Sequence, residues 1–177
     1  MSMSVTMTGA DLLLQSLHGM GVEACFANPG TSEMQLVTAI DRIDGMRSVL
    51  ALFEGVASGA ADGYARIAEK PAATLLHLGP GVGNAWANLH NARRAGVPVI
   101  NLIGDHAVDH LKLDAPLTAD LDGVAGSVSH HLIRAASAEG LGGDAARAFA
   151  AAMTAPGEIA SLVLPADLAW TELSDRD

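Results

Sequence analysis

The sequence contains little cysteine, few aromatic residues and little positive charge. Cys25 is the one cysteine among 177 residues, which excludes an internal disulfide and favours a reducing, cytoplasmic setting. With six aromatic residues, the core must consist mainly of Ala, Val, Leu and Ile, which suits helices packed closely on a sheet. Ten basic and twenty acidic residues give a net charge of −10. Because this charge repels phosphate backbones and anionic lipids, we expect neither nucleic acid nor a membrane surface as a partner.

Long apolar segments and targeting signals are also missing. No apolar stretch reaches the ~18 residues of a membrane span, and residues 1–7 have neither a basic region nor a sustained apolar one. We therefore predict a disordered N-terminus over residues 1–7 rather than a signal peptide. Residues 8–170 form the predicted domain, and residues 171–177 a linker stub. Cys25 lies in an apolar segment and is expected to be a buried, unreactive thiol.

Apolar runs alternate with segments of helical periodicity along the chain. Strands are predicted near residues 22–27, 46–53, 72–78, 97–103, 130–135 and 159–164. Strands that alternate with helices in this way are typical of a parallel sheet with helices on both faces. The strands are nearly continuous apolar runs, as expected when both faces of a sheet are covered. The predicted fold class is therefore α/β, doubly wound, with a mostly parallel sheet of about six strands.

Glu54 lies where a predicted strand, ending in the apolar residues 49–53, gives way to a predicted helix over residues 54–69. Burying a lone carboxylate costs several kcal/mol unless a hydrogen-bond donor satisfies it. Either a protein group or a ligand should therefore pair with Glu54. The helix carries an apolar stripe and two glycines, Gly59 and Gly63, which predict a very close neighbour. That neighbour is either the sheet or a helix of another subunit.

A glycine-rich segment, residues 79–84, is predicted to be a loop between the third strand and the next helix. Its spacing is GxGxG rather than GxGxxG, and it lacks the Lys-Ser/Thr ending of a P-loop. It is either a bare tight turn or a place where backbone approaches a ligand. His77 ends the third strand, and a lone histidine is by default structural. However, Glu54 and residues 28–31 lie at the same carboxyl edge of the sheet, where ligands of open α/β sheets bind.

Other chemistries lack their motifs. His106 and His110 have helical spacing, but no Glu follows His106, so HExxH is absent. His130 and His131 are adjacent and would point in opposite directions in a strand. No G-x-S-x-G elbow of a serine hydrolase is present. We therefore assign no metal ligand to this chain.

Three motifs occur in order: NPGTSE at residues 28–33, Glu54 followed by DGYAR at residues 62–66, and the glycine-rich segment. Together they resemble the pyrimidine-binding (PYR) domain of thiamine diphosphate enzymes of the benzoylformate decarboxylase and acetolactate synthase type. The resemblance extends from about Thr8 to Leu173. It implies that Glu54 binds N1′ of the cofactor's aminopyrimidine and activates the cofactor.

The resemblance implies further site residues around Glu54. Residues matching the cofactor pocket are Pro29, Gly30, Gly81 and Asn84. His77 is expected to transfer protons and to contact the substrate. Thr31, where the family has serine, is expected to bind the carboxylate of a small 2-keto acid.

The resemblance also implies that this chain supplies half of a site. In the family, a diphosphate-binding domain holds Mg²⁺ and the diphosphate through GDG and a later Asn pair. Here Gly104-Asp105-His106 has no Asn pair after it. We therefore expect the pyrimidine-binding half of a decarboxylase or acetolactate synthase-like lyase, inactive without a diphosphate-binding domain or subunit, and a homo-oligomer. The chain could be a separate subunit or a fragment of a longer enzyme.

A non-catalytic PYR-like module that binds a partner or a nucleotide is the alternative. Such a module has no reason to keep a buried carboxylate, so Glu54 favours the catalytic hypothesis.

Overall fold

The computed structural model describes residues 6–174, which form a six-stranded sheet with helices on both faces. The strands are β1 (Ala24–Asn28), β2 (Arg47–Leu50), β3 (Ala72–His77), β4 (Val99–Asp105), β5 (His131–Arg134) and β6 (Ile159–Pro165). Their order is β2-β1-β3-β4-β6-β5, and every neighbouring pair is parallel. The predicted doubly wound α/β fold is therefore confirmed.

The helices lie in two layers, one on each face of the sheet, and each layer has its own hydrophobic cluster. The α-helices are α1 (Gly9–Gly19), α2 (Met34–Asp41), α3 (Glu54–Ala68), α4 (Leu78–Ala95), α5 (Leu121–Val128), α6 (Leu141–Ala152) and α7 (Ala166–Trp170). One cluster joins α1, α2 and α6 to Leu75 and Ile100, and the other joins α3, α4 and α5 to Leu76 and Ile103. Because successive side chains of a strand point to opposite faces, each central strand contributes to both clusters.

The edge strands differ from the prediction. Strands β3, β4 and β6 are almost entirely buried, whereas β2 and β5 are largely exposed. The segment predicted as one strand over residues 46–53 leaves the sheet after Leu50, and Leu52 is 91% exposed. An edge strand has a neighbour on one side only, so its apolar residues do not all reach the core.

The glycine-rich segment was predicted to be a loop, and this prediction is wrong. Residues 79–84 form the first turns of α4, which begins at Leu78 with a φ of 47°. Pro80 is compatible with this position, because the first N–H groups of a helix have no partner within the helix. The small residues serve close contact instead, since a β-carbon at Gly79 would overlap Ala119.

The apolar stripe predicted on α3, which comprises Val56, Ala60, Tyr64 and Ile67, is only partly buried, and Tyr64 is its member that packs against the core. Val56 is 60% and Ile67 87% exposed, while the buried face of α3 carries small residues such as Ala57 and Ala61. A β-carbon at Gly59 would lie 3.2 Å from Asn88 of α4, whereas one at Gly63 would meet nothing within 4 Å among the described residues. The close neighbour of Gly59 is therefore a helix of the same chain, and a contact of Gly63 with another subunit stays a prediction.

The two ends of the described chain meet beside α1. Thr8 caps α1 together with Asp11 and forms an isolated bridge with Glu172. The Leu173 N–H donates to the carbonyl of Met7 at 2.8 Å. Most of the predicted disordered N-terminus, residues 1–5, and the last part of the predicted linker stub, residues 175–177, lie outside the described residues. The predicted domain boundaries stay a prediction.

A row of buried polar side chains crosses the centre of the sheet. Thr74, Asn101 and Ser161 are direct neighbours on β3, β4 and β6. Thr74 Oγ1 donates to Asn101 Oδ1 at 2.7 Å, and Asn101 Nδ2 donates to Ser161 Oγ at 2.9 Å. Sliding β4 would separate the Asn101 amide from both Thr74 and Ser161, so the row fixes the register.

Replacing Asn101 by Ala should lower the free energy of unfolding by about 2–3 kcal/mol, because Thr74 and Ser161 would each lose a buried partner. Chemical denaturation measures the change. Asn91→Ala, on the exposed side of α4, is the control and should change stability by less than about 0.5 kcal/mol. A loss at Asn101 no larger than that of the control would show that the row does not stabilise the sheet.

Candidate functional site

The segments that follow β1, β2 and β3 meet at the carboxyl edge of the sheet. Strand β1 has β2 on one side and β3 on the other, so the chain changes direction across the sheet at β1. Open α/β sheets form a ligand crevice at such a point. Asn28, the last residue of β1, donates through Nδ2 to the carbonyl of Ala51 at 2.8 Å. This bond holds the segment before α3 against the end of β1, next to Glu54.

Glu54 begins α3 and is 6% exposed. Asn84 of α4 donates through Nδ2 to Glu54 Oε2 at 2.9 Å. Within residues 6–174 no second donor to this carboxylate is present, and a β-carbon at Gly81 would lie 3.0 Å from Oε1. One oxygen of Glu54 is therefore held by the protein, and the other lies beside a backbone without a side chain.

His77 lies in contact with a second buried carboxylate, Glu33. His77 Nδ1 is 2.8 Å from Glu33 Oε2, which also accepts the Gly30 N–H at 2.7 Å. The Glu33 side chain is fully buried, and that of His77 is 22% exposed. Burial raises the pKa of Glu33, although the charge of His77 and the Gly30 N–H act in the opposite direction.

Glycines allow these side chains to approach the backbone closely. A β-carbon at Gly30 would overlap the His77 ring, and one at Gly104 would overlap the Glu33 carboxylate. Gly81 lies between the two pairs, because a β-carbon there would be 3.0 Å from Glu54 Oε1 and 3.5 Å from His77 Cβ. The Glu54–Asn84 and Glu33–His77 pairs are thus adjacent.

Sequence analysis missed Glu33, although a signal was present. Glu33 precedes α2 and stands three and seven residues before Leu36 and Ile40, both of which are buried. This helical spacing places Glu33 on the apolar face, where a carboxylate needs a partner. The burial argument that identified Glu54 applies equally to Glu33.

Thr31 and Pro29 line two cavities, and Glu54 lines neither of them. Thr31 is exposed and lines an open cavity of about 180 Å³ together with Ser32, His106, His110 and Trp170. Pro29 lines a mostly apolar cavity of about 230 Å³ between α2 and β2. Of the predicted site residues, the structure thus joins Glu54, Gly81 and Asn84, and joins Gly30 with His77.

The remaining titratable residues do not form a metal centre. Within residues 6–174 no group of three or more His, Cys, Asp or Glu side chains could hold a metal ion. Asp105, in the Gly-Asp-His segment, pairs instead with Arg134 at 2.9 Å. Cys25 is buried as predicted, and burial raises the pKa of its thiol to about 12. No helix in the described part of the chain is long and apolar enough to cross a membrane.

Comparison with known proteins identifies the family. The family model of the thiamine pyrophosphate enzyme N-terminal TPP-binding domain matches residues 7–128. The chain belongs to this family. The "Putative acetolactate synthase large subunit IlvX" of Mycobacterium tuberculosis is 57% identical over 166 residues, which is 94% of this chain and 32% of the relative. The acetolactate synthase large subunit of Haemophilus influenzae is 31% identical over 86% of this chain and 27% of that protein.

A solved structure shows the same fold. Benzoylformate decarboxylase from Polynucleobacter necessarius superposes with a TM-score of 0.88 and 27% identity, over 96% of this chain and 32% of that enzyme. The chain therefore spans about a third of the length of these relatives and corresponds to their N-terminal, TPP-binding part. The predicted resemblance is confirmed, and the family implies thiamine diphosphate as the cofactor.

The Glu33→Gln variant tests whether the pKa of the buried Glu33 carboxyl group is raised. Because burial raises the pKa of Glu33 above its ordinary value of 4.5, its contribution to stability is complete below that value. The contribution is lost as the pH rises through the raised pKa. The unfolding free energy of the wild type should therefore fall, relative to Glu33→Gln, as the pH rises above 4.5.

Urea denaturation across that pH range measures the difference. His77 is the titratable group in contact with Glu33, so the two proteins are compared again in a His77→Gln background. The trend should increase there, since the charge of His77 opposes the effect of burial. Parallel stability curves in both backgrounds would contradict the raised pKa.

Proposed function

We propose that this TPP-binding domain is the pyrimidine-binding half of a thiamine diphosphate-dependent 2-keto-acid decarboxylase or acetolactate synthase-like lyase, in which Glu54 activates the cofactor. The observation that supports this most strongly is the geometry of Glu54. Its carboxylate is buried, Asn84 holds Oε2, and Oε1 lies beside Gly81 with no donor among residues 6–174. A carboxylate oxygen without a protein donor can accept from a ligand that shares a proton with it.

The residues present fit an aminopyrimidine. We propose that the ring lies beside Glu54 near Gly81, where a β-carbon would crowd Glu54 Oε1 at 3.0 Å. Pro29, Gly30 and Asn84 are the further residues proposed to hold it. When bound, thiamine diphosphate supplies a thiazolium carbon that adds to the carbonyl of the substrate. Glu54 shares a proton with ring N1′, and its buried position keeps water from competing for that proton.

Packing between α3 and α4 keeps Glu54 in place. Asn88 Nδ2 donates to the carbonyl of Gly55 at 2.6 Å, and Ser58 Oγ donates to the carbonyl of Ala85 in α4 at 3.3 Å. These bonds fix the first turn of α3 against α4, and so fix Glu54 relative to Asn84. Such preorganisation means that the carboxylate need not move to meet the cofactor.

His77 is proposed to transfer protons to and from the substrate, and Thr31 to bind the carboxylate of a small 2-keto acid. Support for His77 is its partly exposed ring and its contact with a buried carboxylate. Thr31 is exposed, with its hydroxyl available to a ligand. The names of the relatives, acetolactate synthase and benzoylformate decarboxylase, are consistent with this class of substrate.

An apolar surface beside Glu54 supports a partner that completes the site. Leu52, Phe53 and Val56, on either side of Glu54 in the sequence, are 91%, 48% and 60% exposed. Contiguous exposed apolar residues of this size mark interaction surfaces. We propose that a diphosphate-binding domain or subunit, which would also hold Mg²⁺, and a second copy of the chain cover this surface in a cytoplasmic oligomer.

Glu54→Gln tests the proposal in the assembled enzyme, with this chain joined to its diphosphate-binding domain. Gln keeps the shape and an acceptor but cannot relay a proton, so turnover of the 2-keto acid should fall about 10²- to 10⁴-fold. This loss corresponds to about 3–5 kcal/mol of activation free energy. Exchange of the cofactor's thiazolium C2 proton, followed by NMR, should slow to a similar extent.

The control is Asp62→Asn, which removes an exposed ion pair with Arg66 on the same helix and should leave both rates nearly unchanged. The 177-residue chain alone, with thiamine diphosphate and Mg²⁺, should show no turnover. If proton exchange in Glu54→Gln stays within a few-fold of wild type, Glu54 is only a structural acid.

A further inference from the structure

Glu33 is a fully buried carboxylate whose two oxygens have different surroundings. Oε2 accepts the Gly30 N–H at 2.7 Å and lies 2.8 Å from His77 Nδ1. Oε1 is buried and has no hydrogen-bond partner within residues 6–174. Burying a carboxylate without a cationic partner costs folding free energy. Among the described residues, His77 is the titratable group in contact with Glu33, so a role for Glu33 should involve His77.

The hydrogen-bond geometry indicates where the proton of His77 lies. The backbone N–H of Gly30 can only donate, so Glu33 Oε2 acts as an acceptor toward it. A carboxylate oxygen accepts two such bonds, and the second direction is filled by His77 Nδ1. An imidazole that donates through Nδ1 keeps the lone pair on Nε2 free.

Two glycines restrict the movement of both side chains. A β-carbon at Gly30 would overlap the His77 ring, so the ring lies flat on the backbone that also donates to Glu33. A β-carbon at Gly104 would overlap Glu33 Oε1, so that oxygen is packed against β4. The carboxylate can neither rotate away from His77 nor take a new partner on the side of β4.

We infer that Glu33 is the positioning residue of His77, holding its ring in the Nδ1–H form so that Nε2 is the atom that exchanges protons with the substrate. The proton exchange with a substrate rests on the proposed function, whereas the Glu33–His77 contact is formed within this chain. Nε2 accepts a proton, the imidazolium so formed faces the Glu33 carboxylate, and the same proton leaves again from Nε2. Nδ1 keeps its own proton throughout.

Ring ¹⁵N chemical shifts of histidine test the inference in the 177-residue chain without cofactor, because they distinguish the two neutral tautomers. Above about pH 7.5, where free imidazole is neutral, His77 should be in the Nδ1–H form in the wild type and in Glu33→Gln, which keeps an acceptor oxygen. In Glu33→Ala it should change to the Nε2–H form that free imidazole favours. His131 is the internal reference, since its Nε2 contacts Glu158 at 2.6 Å, and it should show the Nε2–H form in all three proteins.

Gly104→Ala is a second way to break the Glu33–His77 contact, because its new methyl group must push the Glu33 carboxylate aside. This variant should change the His77 tautomer as Glu33→Ala does. If Glu33→Ala does not fold, Gly104→Ala replaces it in the tautomer measurement. An Nε2–H form of His77 in the wild type, or an unchanged Nδ1–H form in the folded variants, would overturn the inference.

In the assembled enzyme the same variants separate positioning from a purely structural role. Glu33→Ala should lower kcat roughly 10- to 100-fold, by analogy with partners that orient a histidine in metal sites, with a smaller change in KM. Glu33→Gln should restore most of kcat. An equal loss in both variants would contradict positioning. Failure of the Glu54 experiment would leave the tautomer result unaffected, so the two ideas fail separately.

Discussion

The close approach of α3 to α4 is the constraint on which the site depends. Small residues on the buried face of α3 let the two helices touch along their first turns, where Asn88 bonds to the carbonyl of Gly55. At this distance Asn84 reaches Glu54, and Gly81 passes beside its free oxygen. Larger residues would separate the helices and leave a buried carboxylate without a partner, which costs several kcal/mol.

Two carboxylates lie at the same edge of the sheet, and their surroundings differ. Asn84, a neutral donor, holds one oxygen of Glu54, and the other oxygen has no donor in the described part of the chain. Glu33 is enclosed deeper, between the backbone of Gly30 and Gly104, and contacts a histidine that can carry charge. Acids in unlike environments can perform unlike tasks. Accordingly, we assign proton sharing with the cofactor to Glu54 and orientation of His77 to Glu33.

Much of this arrangement could be predicted from local sequence. The alternation of strands and helices predicted the sheet, and the position of Glu54 at a strand-to-helix junction predicted that it would be buried. The carboxyl-edge rule correctly placed His77 and Gly30 at the same edge as Glu54. These features depend on periodicity and on which residue follows which strand, both of which are local properties.

The features that were missed depend on contacts between distant residues. The Glu33–His77 contact joins positions 44 residues apart. The glycines of residues 79–84 suggested a loop, but they lie in α4, where the small size of Gly79 allows close packing against Ala119. The exposed Val56 and Ile67 have core-like character, and only the folded chain shows that the helix turns them outward. Secondary-structure propensity describes the conformation that a residue prefers in isolation, whereas tertiary contacts determine its conformation in the folded chain.

The most direct test of the central claim is a crystal structure of this chain assembled with its diphosphate-binding partner and thiamine diphosphate. We expect N1′ of the aminopyrimidine to lie about 2.7 Å from Glu54 Oε1, with Asn84 still bonded to Oε2 and the ring near Gly81. A pyrimidine ring bound elsewhere, or a Glu54 carboxylate satisfied by a protein group of the partner instead, would contradict it.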